Sequence, residues 1–253
     1  MPDLEATLRS RRAGGPAFVP YVTGGLAGVD ATLLRELEAA GADAVEVGIP
    51  FSDPVMDGGV VQEASRLALE AGTRPADVLA TIREASLGVP VAIMTYYNPI
   101  YRRGEDAFLA AAAEAGVAGI IVPDLPVDEA EAWVVASIGA GVAPVFLAAP
   151  GSAPERLRAI ADHARGFVYC VATYGVTGER EGLSGTAEEL VAALRPLTDL
   201  PLLVGVGIGT PEQAEEACRF ADGVIVGSAL VRRLLAGDRD GAIALAAAFR
   251  QAL

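Results

Sequence analysis

Eight short, nearly unbroken apolar runs recur along the 253-residue chain, at 18–22, 44–49, 89–95, 117–122, 143–148, 167–171, 202–206 and 223–226. They are rich in Val, Ile and aromatic residues and do not alternate with polar ones, the pattern of parallel strands buried on both faces. Between them lie segments rich in Ala, Leu, Glu and Arg at helical spacing, among them 31–40, 105–115, 128–137, 154–163, 187–194 and 211–219. Asp30, Thr186 and Thr210 stand where N-caps belong, and Pro154 and Pro211 suit a first helical turn. Gly41, Gly72 and Gly116 suit the left-handed position that ends a helix. Eight such units in about 250 residues, joined by right-handed crossovers, close into a ring. The expected fold is α/β: a (βα)8 TIM barrel, one continuous domain over residues 1–253 with an extra N-terminal helix. An open doubly wound sheet is the alternative, but YVTGGL at 21–26 lacks the GxGxxG turn such sheets usually carry after their first strand.

Composition narrows function mainly by what it lacks. Lys+Arg total 19 and every one of them is arginine. Without a lysine amine the chain cannot form a Schiff base with a carbonyl substrate or with pyridoxal phosphate, and it cannot build a Walker-type phosphate loop. The formal net charge of −14 repels a nucleic-acid backbone. A 52% hydrophobic content would suit a membrane protein, yet no run approaches the roughly 18 uncharged residues of a spanning helix, so the apolar excess is expected in a core. Residues 1–15 hold three arginines and no apolar stretch of the kind a secretory signal needs. A cytoplasmic location is the expectation. Cys170 and Cys218 lack CxxC spacing and His163 is the sole histidine, so neither a disulfide framework nor a metal site is expected.

In a barrel, the long connections 50–60 and 172–185 would both lie at the C-terminal ends of the strands, where active sites are built. The first belongs to the segment VEVGIPFSDPVMDGGVVQ, residues 45–62. Glu46 stands inside an otherwise apolar strand. A carboxyl group there is costly unless paired, hydrogen-bonded or protonated, and a desolvated carboxyl with a raised pKa suits proton transfer near neutral pH. The alternative is a glutamate that anchors the interior by hydrogen bonds. Asp57 follows eleven residues later beside Gly58 and Gly59. Alone it reads as a turn residue, but with Glu46 it offers two carboxylates in unlike environments, one arrangement that lets a site hold an acid and a base. Three glycine-rich segments come later: GVTG at 175–178, GVGIG at 205–209 and Gly227-Ser228. The last two follow strands and precede helices, where barrels bind phosphate on backbone N–H groups. Tight turns that simply need glycine are the competing explanation.

VEVGIPFSDPVMDG, together with PDLP at 123–126, GVTG, GVGIG and the late GS, resembles the tryptophan synthase α-subunit family in order, spacing and total length. The resemblance covers nearly the whole chain. It implies that Glu46 and Asp57 are the catalytic pair in a retro-aldol cleavage of indole-3-glycerol phosphate to indole and glyceraldehyde 3-phosphate. Glu46 would move protons at the glycerol hydroxyl and the indole ring carbon, and Asp57 would accept the indole N–H. By the same resemblance Gly178, Val206, Gly207, Gly227 and Ser228 line the phosphate. Tyr21, Val61, Met94, Ile121 and Tyr169 wall the indole, and Thr177 closes over Asp57. The family works as an α2β2 complex in which indole passes to a pyridoxal phosphate-dependent β subunit, so no cofactor is expected on this chain. The matching positions for the partner face are Pro50, Asp53, Asn98, Asp124 and Pro126. The chain departs from many relatives at Gly59, at Gly24 and Gly25, and at Thr173 and Tyr174 before GVTG.

Two other readings compete. Phosphosugar isomerases and cyclases are also phosphate-binding barrels, but they resemble enzymes that use carboxylates at the ends of strands one and five. Here those places, around Val22 and Ala148, are uncharged. A barrel that only activates a partner would not need both acids.

Overall fold

The computed structural model describes residues 2–11, 14–172, 185–205 and 207–253. Strands β1 (Ala17–Thr23), β2 (Val45–Gly48), β3 (Val91–Met94), β4 (Val117–Ile121), β5 (Ala143–Ala148), β6 (Val168–Val171), β7 (Leu202–Gly205) and β8 (Gly223–Val226) pair in sequence order, all parallel. β8 returns to β1, with Ala17 opposite Gly223, and closes the ring. The expected (βα)8 barrel is the fold, and each apolar run coincides with one strand.

The helices among the described residues are α1 (Leu4–Arg11), α2 (Ala31–Ala39), α3 (Gly59–Glu70), α4 (Pro75–Ala85), α5 (Tyr97–Arg103), α6 (Glu105–Glu114), α7 (Glu131–Gly139), α8 (Pro154–His163), α9 (Gly185–Leu194), α10 (Pro211–Ala217), α11 (Ser228–Leu235) and α12 (Arg239–Ala252). None is long and apolar enough to cross a membrane. Asp30 and Thr210 cap α2 and α10, each side chain accepting a backbone N–H two or three residues into the helix, from Leu33 and Gln213. Thr186 does not cap α9. It lies inside the helix, and its hydroxyl donates back to the Ala172 carbonyl at 3.4 Å. The segment 128–137 also divides: Val127–Glu129 form a 3-10 turn closed by Glu129 N–H to Pro126 and Ala130 N–H to Val127, and α7 starts after it.

α1 plugs the N-terminal end of the barrel. Leu4 enters because β4 and the approach to β6 carry glycines: a Cβ at Gly119 or Gly166 would sit 2.6 Å or 2.9 Å from Leu4 Cδ2. The same end is tied by two aspartates. Asp43 Oδ2 accepts the Phe18 N–H and Arg250 Nη1, both at 2.9 Å. Asp222 Oδ2 accepts the Leu202 N–H at 2.8 Å and Arg195 Nη1 at 2.7 Å. Each carboxylate thus joins the start of one strand to the start of its neighbour and to an arginine outside the ring. The closed N-terminal end leaves the C-terminal mouth as the open face.

Candidate active site

β1 and β2 pair with Tyr21 opposite Glu46, and both side chains line the cavity at the mouth of the barrel. Glu46 is 1% exposed. Its Oε2 has no hydrogen-bond partner among the described residues. Burial, reinforced by the nearby Asp57 carboxylate, pushes the Glu46 carboxyl up to about 8. At neutral pH it therefore holds a proton and has an oxygen free to meet a ligand.

Asp57 comes from the connection between β2 and α3. The loop folds on itself through the Asp57 N–H to the Pro54 carbonyl at 3.0 Å, and Gln62 Nε2 on α3 holds the Asp57 carbonyl at 2.8 Å. Burial raises the Asp57 carboxyl to about 6, and a hydrogen bond from the Tyr96 hydroxyl opposes the rise. At pH 7 Asp57 is mostly an anion while Glu46 is mostly neutral, so one cavity presents an acceptor and a proton donor.

Two tyrosines frame this pair. Tyr21 fits because the neighbouring strand carries Gly48, and Tyr169 fits because its neighbour carries Gly205; a Cβ at either glycine would overlap the facing hydroxyl. Burial raises both phenols well above their ordinary range, so they stay protonated. Val61, Met94 and Ile121 line the same cavity, joined by Phe146, Leu147 and Ile225, which the sequence reading does not single out. The walls suit a flat apolar ring.

Gly207, Gly227 and Ser228 border the cavity from the ends of β7 and β8. Gly207 has φ +92, a backbone conformation that favours glycine. Gly227 precedes α11 and Ser228 is its first residue, so the unpaired N–H groups of that helix start at the cavity. The cavity of about 600 Å³ runs from these amides to the two carboxyl groups. Thr177, Gly178 and Val206 lie outside the described residues.

The expected partner-facing residues divide. Asp53 and Asn98 are exposed, and Asp124 and Pro126 are exposed on the cavity rim. Asp124 also has a structural task, accepting the Tyr97 N–H at 2.8 Å at the start of α5. Pro50 is buried at the end of β2 and presents little surface. Sequence reasoning misses Val55, Met56 and Tyr101, large apolar side chains that are 71%, 54% and 71% exposed on the same loop and on α5. It also misses Tyr96, whose hydroxyl bonds to the Asp57 loop; its place just beyond β3 was the available signal.

Fold and cavity together define an enzyme of the parallel (βα)8 barrels, with its site at the C-terminal face of the strands. Residues 8–251 match the family model of the tryptophan synthase alpha chain, and the chain belongs to that family. A tryptophan synthase alpha chain from Streptomyces coelicolor is 49% identical over 229 residues, 90% of this chain and 83% of that protein. One from Rippkaea orientalis is 43% identical over 256 residues, 99% of this chain and 95% of that protein. A solved structure of Mycobacterium tuberculosis tryptophan synthase aligns with a TM-score of 0.92 at 41% identity, covering 98% of this chain and 97% of that one.

Proposed function

We propose that Glu46 and Asp57 divide the proton work of the family's lyase reaction, cleavage of indole-3-glycerol phosphate to indole and glyceraldehyde 3-phosphate. The observation that carries the assignment is two carboxyl groups in unlike settings over one apolar cavity, Glu46 buried in a strand with an oxygen that has no partner among the described residues and Asp57 on a loop, both raised by burial and Glu46 the more. The substrate's indole lies among Tyr21, Val61, Met94, Ile121 and Tyr169, and its phosphate lies on the amides at Gly207, Gly227 and Ser228; the phosphate and loop roles that the family resemblance gives Thr177, Gly178 and Val206 fall outside the described residues.

Glu46 gives its proton to C3 of the indole ring, and the positive charge develops on the ring nitrogen. Asp57 accepts the ring N–H and stabilises that charge. Glu46, now a carboxylate, takes the proton of the hydroxyl on the side-chain carbon attached to C3. The carbon–carbon bond breaks, its electrons return to the ring to give indole, and the hydroxyl carbon becomes the aldehyde of glyceraldehyde 3-phosphate. Glu46 ends as it began, protonated. The ring itself is the electron sink, so a chain without lysine can run the step.

The product indole passes to a β subunit in an α2β2 assembly, seated on Asp53, Asn98, Asp124 and Pro126, with Pro50 buried just past the end of β2. The pyridoxal phosphate chemistry belongs to that subunit, since an aldimine lysine must come from another chain. One continuous domain and a cytoplasmic location accord with this reading. The test is an indole-release assay on the purified chain, alone and with a β subunit. Release of indole in both states, faster with the partner, is expected. No release in either state would overturn the enzyme assignment and leave the activator reading, and turnover of a phosphosugar without indole would favour the isomerase reading.

A further inference from the structure

We propose that Tyr96 is the positioning residue of Asp57: its hydroxyl ties the carboxylate and the backbone of the same loop into one hydrogen-bonded unit and so fixes how that carboxylate faces the cavity. The inference rests on the reading of Asp57 as the acceptor of the ring N–H. Tyr96 is 2% exposed and stands behind Asp57 without lining the cavity itself. Its ring stacks on Phe51 from the same loop, with centroids 4.9 Å apart and planes at 24°. Its hydroxyl oxygen accepts the Met56 N–H at 2.9 Å, which leaves the hydroxyl proton for the carboxyl group of the next residue, Asp57, whose ionised form this neighbour favours. One phenol thus grips the loop at three consecutive levels: a ring, a backbone amide and the acid.

The bond also bears on the charge of Asp57. The groups that face this region among the described residues are Glu46 from β2, Tyr21 from β1, Tyr169 from β6 and Asp124 from the connection after β4, the last acting on Tyr96. None is a cation. Burial opposes ionisation of Asp57, and the Tyr96 hydroxyl is the group that favours it. Burial and Asp57 in turn hold the Tyr96 hydroxyl well above its ordinary range, so it remains a donor.

Tyr96→Phe keeps the ring and the stack but removes the hydroxyl. In the full chain, with and without the partner subunit, the acid limb of the kcat–pH profile is expected to move up by about one unit, with kcat falling about twofold at neutral pH and about tenfold on the acid side of the limb, and KM changing little. Titration of the Asp57 carboxyl carbon by NMR is expected to show the same upward shift without turnover. Phe51→Leu, which loosens the stack and keeps the hydroxyl, should leave the acid limb in place. A fluorinated tyrosine at position 96, a stronger donor of the same shape, should move the limb down, and this arm holds even if the Phe variant folds poorly. An unmoved Asp57 titration in both the Phe and the fluorinated proteins would overturn the positioning role. A moved titration combined with an active Asp57→Asn enzyme would sink the catalytic reading of Asp57 instead.

Discussion

Tyr21 and Gly48 share one volume in the barrel wall: the tyrosine hydroxyl occupies the space a Cβ at residue 48 would need. Gly48 lies two residues beyond Glu46 on β2, and Tyr21 is the cross-strand partner of Glu46, so the glycine sets how the phenol lies over the acid. Gly48→Ala is expected to push the phenol into the cavity, destabilise the fold by about 1–3 kcal/mol, and raise KM for indole-3-glycerol phosphate. Urea unfolding and steady-state kinetics read the two effects. An unchanged KM would show that the wall yields without moving Tyr21.

Replacing either acid removes a different half of the chemistry. Glu46→Gln retains the shape but cannot shuttle a proton, and Asp57→Asn retains the loop but loses the anion. Each is expected to lower kcat by roughly 10²- to 10⁴-fold, with the protein still folded by circular dichroism. Near-wild-type indole release from either purified variant would discredit the assignment.

The buried acids also make stability depend on pH. Glu46 titrates at about 8 in the folded chain against an ordinary 4.5, so across that window the folded state binds more protons than the unfolded one. Stability is then fully present below about pH 4.5 and declines as pH rises to about 8; Asp57 adds the same trend between 3.8 and about 6. Glu46→Gln removes the larger slope. The variant should match the parent near the acidic end of the window and exceed it at alkaline pH, by on the order of a few kcal/mol. Melting temperatures measured from acidic to alkaline buffer give the answer, and parallel curves for the two proteins would contradict it.

At the closed end of the barrel, Asp43 joins the starts of β1 and β2 to Arg250 on α12, and Arg11 pairs with its other oxygen at 3.0 Å. Asp43→Ala leaves the Phe18 N–H without its acceptor and takes away the charge that faces two guanidinium groups, Arg250 keeping only the Pro16 carbonyl. A loss of about 3 kcal/mol in unfolding free energy is expected, with kcat per folded molecule unchanged because the site lies at the opposite mouth. A matching fall in kcat would mean that the two ends are coupled.

How much of this was legible in the sequence follows from the range of the interactions. The strands could be read because each is a local apolar run, and Glu46 stood out as the one charge within such a run. Asp57 was readable as a loop acid, but not its anchor: Tyr96 reaches a loop 40 residues away in the chain, and no local pattern records that. α5 was hidden for a similar reason. Its sequence, YNPIYRR, looks like a turn, and its first N–H is held by Asp124 from another connection. Thr186 resembles a cap, yet its hydroxyl turns back to Ala172. Pro50 sits in a motif shared with partner-facing residues, and only the packing around the end of β2 reveals that it is covered.

The seam at which Ala17 meets Gly223 also governs how the chain acquires its shape. During synthesis every earlier strand can pair with its predecessor as it emerges, but β1 waits with an open flank until β8 has left the ribosome. A growing chain halted anywhere short of that last strand is a sticky, half-curled sheet with two bare borders. Loss of the final strand would therefore leave an aggregating fragment rather than a smaller working enzyme.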